Sequence, residues 1–130
     1  MNNLGIKQRR VGSVTILDAN RVLRISLKFG ISGVSLESAV DSLLISGQHQ
    51  ILLNLDGITA ISAKGLGELV SIFARVKRSG GEFKLFNVTP PVRQLMAATK
   101  LAEVFGCYDT ERDAIASFAD AEPLTDRAGA

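Results

Sequence analysis

The hydrophobic positions near the start of the chain are spaced as in β-strands. Residues 14–17 are apolar apart from Thr15, and between 23 and 27 every other residue is apolar, which predicts two strands with one buried face each. Turn-forming residues separate them at 18–21, so we expect these strands to form a hairpin. Residues 6–10 are expected to add an edge strand before the following glycine.

Further along the chain the spacing becomes helical. Apolar residues at i, i+3, i+4 and i+7 predict an amphipathic helix that begins near Leu36 and ends near Gly47, and a second stripe predicts a helix over 66–78. Residues 51–55, between these helices, are almost continuously apolar, which indicates a central strand covered on both faces.

The last third of the chain repeats this alternation. We expect a strand at 82–87, a helix that opens at Pro90, a short strand at 104–105 and a last helix capped by Thr110. Strands that alternate with helices in this way predict an α/β fold, in which a mixed sheet of four to five strands packs against about four helices.

Composition limits the function classes. A chain of 130 residues with 46% hydrophobic and 22% charged residues fits one globular domain, which we assign to residues 1–119, followed by a disordered tail over 120–130. The single Cys107 and the single His49 exclude an internal disulfide and a Cys/His metal site, and neither has an evident base beside it, so we expect no cofactor and no enzyme. No apolar stretch is long enough for a membrane span or a secretory signal, and we expect a cytoplasmic protein.

Charge is distributed unevenly between the two ends. Residues 1–28 carry six basic side chains and one acidic, whereas residues 101–130 carry seven acidic and two basic. The two ends either attract each other or each faces a partner. The net charge of only +2 and the scarcity of aromatic residues argue against a nucleic-acid partner.

The segment with the most chemical interest joins the central strand to the best-defined helix. Residues 56–64 lie there, at the carboxyl edge of the predicted sheet, where open α/β sheets place their ligands. The free amides and the dipole of a helix start favour anions, so binding of a nucleotide or another small anion is one functional hypothesis.

Several segments, in their order along the chain, resemble the STAS domains, and within them the anti-sigma factor antagonists of bacteria. The segments that carry the resemblance are 14–17, 51–55, 65–69, 80–85, 100–105 and 114–118. The resemblance covers about residues 11–118. It implies a small cytoplasmic binding module without catalysis of its own, which docks onto an anti-sigma factor kinase and is switched off by phosphorylation of a serine before the helix.

The phosphorylated position differs from the family pattern. In the family this loop reads Asp-Ser-Ser-Gly, and aligning its glycine with Gly65 places Ser62, Ala63 and Lys64 at the preceding positions. Lys64 stands where the second serine accepts the phosphate, so the usual switch is not expected to operate. Either Lys64 pairs with an acidic group of the partner, or it is an ordinary solvated side chain.

Other residues of the loop also have two interpretations. Ser62 is either a shifted phosphate acceptor or, as we favour, the N-cap of the helix, and Thr59 is a more remote acceptor. Asp56 either binds a cation or, as we favour, is a turn residue bonded to nearby backbone. The glycines at 65 and 67 match no phosphate-binding motif, and close packing of the helix on the sheet explains them at least as well.

We predict that the partner is an anti-sigma factor or a serine kinase of that type, bound without nucleic acid and without direct membrane insertion. The alternative function is a structural STAS subunit of a stress-signalling scaffold or of a lipid-transport ABC complex. The sequence leaves open whether the chain forms a homo-oligomer. Glu68, Ser71 and Arg75, at spacings of three and four, share one face of the predicted helix. This face is either a contact with the partner or an ordinary solvated surface. The predicted partner-binding residues are Thr59, Ser62, Ala63, Lys64, Gly65, Gly67, Glu68, Ser71 and Arg75.

Overall fold

A computed structural model describes residues 6–19, 21–29 and 36–121 as an α/β sandwich built on one mixed sheet. Over these residues the sheet has five strands, paired in sequence order, and five α-helices pack on it. The strands are β1 (Ile6–Val11), β2 (Val14–Ala19), β3 (Gln50–Asn54), β4 (Glu82–Phe86) and β5 (Gly106–Tyr108). The helices are α1 (Arg21–Phe29), α2 (Leu36–Ile45), α3 (Ala63–Arg78), α4 (Pro90–Ala98) and α5 (Glu111–Ala121), with a 3-10 turn at Leu101–Glu103. The predicted fold class is confirmed, with one helix more than expected.

β3 is the central strand, as its continuous apolar run predicted. It pairs in parallel with β2 on one side and β4 on the other, and all three of its middle residues are buried. Ile51 and Leu53 belong to the larger core, which helices α1 to α4 cover, whereas Leu52 belongs to the smaller core under α5. Because the parallel strands β2 to β5 all end at the same edge, the loop after β3 leaves the sheet there.

The predicted hairpin was wrong in its second strand. The hairpin is formed by β1 and β2 around Gly12, so the expected edge strand is confirmed, but residues 21–29 form the helix α1. Leu23 and Leu27 are compatible with both structures, since a spacing of four places them on one face of a helix as well as of a strand. In the fold both are fully buried against the larger core, while Ile25 between them is exposed.

The predicted strand at 104–105 was wrong by two residues. β5 is Gly106–Tyr108, paired with β4, whereas Phe105 lies in the bend before it. The burial of Phe105 comes from edge-to-face contacts with the rings of Phe73 and Phe83, at centroid distances of 5.5 and 6.4 Å. An apolar pair in the sequence therefore marked a core anchor in a turn. α5 continues to Ala121, and residues 122–130 of the predicted tail lie outside the described residues.

The oppositely charged ends of the chain meet on the face of the sheet under α5. Arg9 of β1 donates to Asp18 of β2 and to Glu111 at the start of α5, with Nη2 2.8 Å from Glu111 Oε1. Asn54 Nδ2 also donates to Asp18 Oδ1, at 2.8 Å. Burial alone would raise the pKa of Asp18, but the hydrogen bonds from Arg9 and Asn54 outweigh it, and the pKa is lowered. Of the two alternatives for the charged ends, the ion pair between Arg9 and Glu111 therefore supports attraction between them.

Candidate docking site at the start of α3

The loop between β3 and α3 begins with a tight turn that Asn54 stabilises. Asn54 Oδ1 accepts the N–H of Asp56 at 2.9 Å, and the N–H of Ile58 reaches the carbonyl of Leu55 at 3.0 Å. Gly57 provides the positive φ of 79° that this turn requires. The prediction of a turn at Asp56 is confirmed, although the bonding side chain is that of Asn54. The described residues contain no group of three His, Cys, Asp or Glu side chains that could hold a metal ion.

Neighbouring elements hold the loop in place after this turn. Thr89 Oγ1, at the start of α4, donates to the carbonyl of Ile58 at 2.6 Å, and the Ile58 side chain is buried in the core. The N–H of Ser62 donates to the carbonyl of Leu27 in α1 at 2.8 Å. The loop is therefore anchored at both ends, while Thr59 and Ala60 between the anchors are exposed.

Ser62 is the N-cap of α3, as we favoured. Its backbone is extended, and its Oγ accepts the N–H of Gly65 at 3.0 Å. This hydroxyl satisfies one of the amides that a helix start leaves without a partner. A phosphate on Ser62 would disturb the bond, which supports the capping interpretation over that of a shifted acceptor.

Steric packing requires glycine at only one of the two glycine positions near the start of α3. A Cβ at Gly65 would lie 2.7 Å from the carbonyl oxygen of Leu27 and 3.2 Å from Ile61 Cγ2. Close packing therefore does require glycine there, but the packing is against the backbone of α1 and not, as predicted, against the sheet. A Cβ at Gly67 would meet nothing within 4 Å. The packing explanation is therefore wrong for Gly67, whose Cα faces open space.

The side chains of Ala63 and Lys64 in the first turn of α3 are exposed. Lys64 lies one helical turn before Glu68, which is half-buried. Burial raises the pKa of Glu68, and the negative charge of Glu37 on α2 raises it further, while Lys64 opposes the shift. The first turn of α3 thus presents the Lys64 cation to solvent, while the Glu68 carboxylate one turn later is half-buried.

The helix face that follows is only partly open. Ser71 is exposed, whereas both carboxylate oxygens of Asp41 on α2 accept from Nη1 of Arg75, at 3.0 and 3.1 Å. Glu68, Ser71 and Arg75 were predicted to share a solvent face. Arg75 is instead paired with Asp41, which links α3 to α2. Exposed ion pairs of this kind contribute little to stability, so Arg75 stays within reach of a partner.

Residues of α1 that were not among the predicted contacts also face this loop. Arg24 lies against the turn, with its Nε 3.1 Å from the position of a Cβ on Gly57. Lys28 and Phe29, one turn later, are exposed beside the same loop. Arg24 and Lys28 are spaced by four, as are Ile25 and Phe29, which fits one face of a helix. The prediction of a strand over 23–27 prevented this spacing from being recognised.

A match to a known protein family shows which kind of domain carries this loop and helix. The model of the STAS domain matches residues 15–114. The chain belongs to the STAS domain family. The match includes the β3–α3 loop and the start of α3, and it spans most of the segments that carried the predicted resemblance to STAS domains, which is confirmed.

The chain is also similar to individual proteins. The anti-sigma F factor antagonist of Paenibacillus polymyxa is 29% identical over 67 residues, which are 52% of this chain and 57% of that relative, so less than two thirds of its length is matched. A putative anti-sigma factor antagonist of Thermotoga maritima superimposes with a TM-score of 0.69 at 23% identity, over 86% of this chain and 92% of that one. The Bacillus cell fate determinant SpoIIAA, in its phosphorylated form, gives 0.60 at 13% identity, over 88% and 99%. The two structures establish the shared fold.

Among the described helices, none combines the length and the apolar character needed to cross a bilayer.

Proposed function

We propose that this STAS domain is a regulatory binding module of the anti-sigma factor antagonist type, which docks onto an anti-sigma factor through the β3–α3 loop and the first turns of α3. The observation that carries the proposal is the construction of that loop. Its ends are fixed by Thr89 and by the backbone of α1, while its middle and Lys64 are exposed. A surface that is ordered before binding loses little conformational entropy on docking.

Docking by this domain is not switched at position 64, because a lysine amine has no hydroxyl to esterify. The nearest hydroxyl, that of Ser62, is occupied as the N-cap. Lys64 carries a positive charge at the positive end of the helix dipole, so an acidic group of the partner would relieve an unfavourable interaction as it binds. We therefore expect a constitutive antagonist whose contact with the partner includes a carboxylate near Lys64.

The direct test is a titration of the purified protein with an anti-sigma factor from the same organism, followed calorimetrically. Lys64→Glu is expected to weaken binding about tenfold, or about 1.4 kcal/mol, because attraction is replaced by repulsion. Arg112→Glu is the matched control, since Arg112 is exposed on α5, across the sheet from α3. Equal effects of the two variants, or no binding by the parent protein, would contradict the proposal.

Phosphorylation gives a second measurement. Incubation with an anti-sigma kinase and ATP is expected to leave the parent protein unlabelled, whereas Lys64→Ser restores an acceptor on an exposed first turn and becomes labelled. A Lys64→Ser protein that binds the kinase yet stays unlabelled would argue against the alignment at Gly65. Recovery of a transporter ATPase or a large signalling assembly in affinity capture would instead favour the structural-subunit alternative.

A further inference from the structure

A cleft of about 220 Å³ lies between α1 and the β3–α3 loop. One wall is the outer face of α1, and the other is the exposed stretch of the loop that leads towards Lys64. The lining residues are Arg24, Ile25, Lys28, Phe29, Gly57, Ile58, Thr59 and Ala60.

The wall on α1 consists of two stripes with different chemistry. Arg24 and Lys28 are spaced by four and form a basic stripe, and Ile25 and Phe29, also spaced by four, form an apolar stripe beside it. The apolar side chains are unusually open for their size, with 42% of Ile25 and 62% of Phe29 exposed. Adjacent exposed apolar residues rimmed by charge are typical of interaction sites.

The charge of the cleft is not balanced within the described residues. Two cations and no carboxylate line it. None of the ion pairs among the described residues involves Arg24 or Lys28. Lys28 lies 5.3 Å from the centroid of the Phe29 ring, a contact that leaves its ammonium group available to an acid. Asp56 lies in the turn but is not part of the lining.

We propose that this cleft binds an extended segment of the partner protein in which carboxylates flank an aliphatic or aromatic side chain. The apolar side chain would pack on Ile25 and Phe29, and the carboxylates would pair with Arg24 and Lys28. The site is concave, with the loop as its second wall, so it fits a protruding chain segment better than the flat surface of a bilayer.

This inference rests on the proposed function, since the cleft is continuous with the loop that we assign to docking. It extends that function to a second contact, supplied by α1, and it specifies the chemistry of the partner. Neither Lys28 nor Phe29 belongs to the hydrophobic core, so both can be replaced without disturbing the packing of α1.

The first arm of the test uses a synthetic peptide in which glutamates alternate with leucine and phenylalanine. It is titrated into isotopically labelled protein and followed by amide chemical shifts. We expect saturable shifts at the amides of Ile25, Phe29 and Thr59, lost with Phe29→Ser and with a peptide whose apolar residues are replaced by serine. No shift at millimolar peptide, or equal shifts with the serine peptide or with acetate, would overturn the proposal.

The second arm uses the anti-sigma factor itself. Lys28→Glu is expected to weaken its binding about tenfold and Phe29→Ser about fivefold. The matched controls are Arg112→Glu for charge and Ile45→Ser for an exposed apolar side chain at the end of α2. Normal binding by both test variants overturns the cleft proposal and leaves the proposed function intact. Peptide binding without anti-sigma factor binding supports the cleft and refutes the proposed function.

Two further occupants are tested alongside. Sedimentation with vesicles of anionic lipid that depends on Lys28 and Phe29 would assign the surface to a membrane and overturn the proposal. Concentration-dependent dimerisation that Phe29→Ser abolishes would assign it to a second copy of the chain and overturn it as well.

Discussion

The contact between α1 and the first turn of α3 sets the positions of α1 and of the β3–α3 loop, which are the two walls of the cleft. Gly65→Ala tests this contact directly. The added Cβ would lie 2.7 Å from the carbonyl oxygen of Leu27, a separation that real Cβ atoms essentially never show. The obstacle is backbone, so relief requires a shift of α1 or α3. Such overpacking costs about 1–3 kcal/mol.

Two smaller effects modify this figure. The same carbonyl accepts the N–H of Ser62 at 2.8 Å, and distorting a hydrogen bond of this kind costs up to about 1 kcal/mol. Replacing glycine by alanine in a helix gains up to about 1 kcal/mol in helix propensity. We therefore expect Gly65→Ala to lower the free energy of unfolding by about 2 kcal/mol.

Gly67→Ala is the matched control, because it makes the same chemical change in the same helix at a position with nothing within 4 Å. It is expected to raise the free energy of unfolding by about 0.5–1 kcal/mol through helix propensity. The parent and both variants are compared by urea unfolding followed by circular dichroism. Equal m-values are the condition for treating the differences as changes in stability. Equal stability of the two variants would refute the close approach of α3 to α1.

Two other changes test the cap of α3 and the charge network under α5. Ser62→Ala is expected to cost about 1 kcal/mol in urea unfolding, while Ser62→Asp, which can still accept the amide of Gly65, retains most of the stability; equal loss in both would contradict the cap. Because the pKa of Asp18 is lower in the folded than in the unfolded protein, its contribution is present above pH about 4 and is lost as the pH falls through the folded value. Asp18→Asn should therefore destabilise the protein at pH 7, and the penalty should shrink as the pH falls through the folded pKa of Asp18. A penalty independent of pH would show that Asp18 does not act through its charge.

The elements that the sequence predicted well are those whose signals are local and redundant. α3 has an apolar stripe with period 3.6, a capping serine at its start and basic residues followed by glycines at its end, all pointing to the same structure. Similarly, the continuous apolar run of β3 has no other explanation in a segment of this length, since both faces of a central strand must be buried. The predicted cap at Ser62 also followed from local chemistry alone.

α1 shows where local signals stop being sufficient. The alternation of Leu23, Ile25 and Leu27 fits a strand, and no short-range feature outweighs it. The helix is selected by what lies against it: Leu23 and Leu27 pack into the larger core without Ile25, and the carbonyl of Leu27 accepts the N–H of Ser62, 35 residues later. Ile25 is then turned outwards.

The sequence by itself determined the α/β class, the central strand, the helix that follows it and the capping of that helix by Ser62, because each depends on residue type and spacing along the chain. The tertiary structure decided that residues 21–29 are helical, that Gly65 but not Gly67 is sterically required, and that a basic and apolar cleft adjoins the loop. These features arise from contacts between segments far apart in the chain, which periodicity within one segment cannot encode.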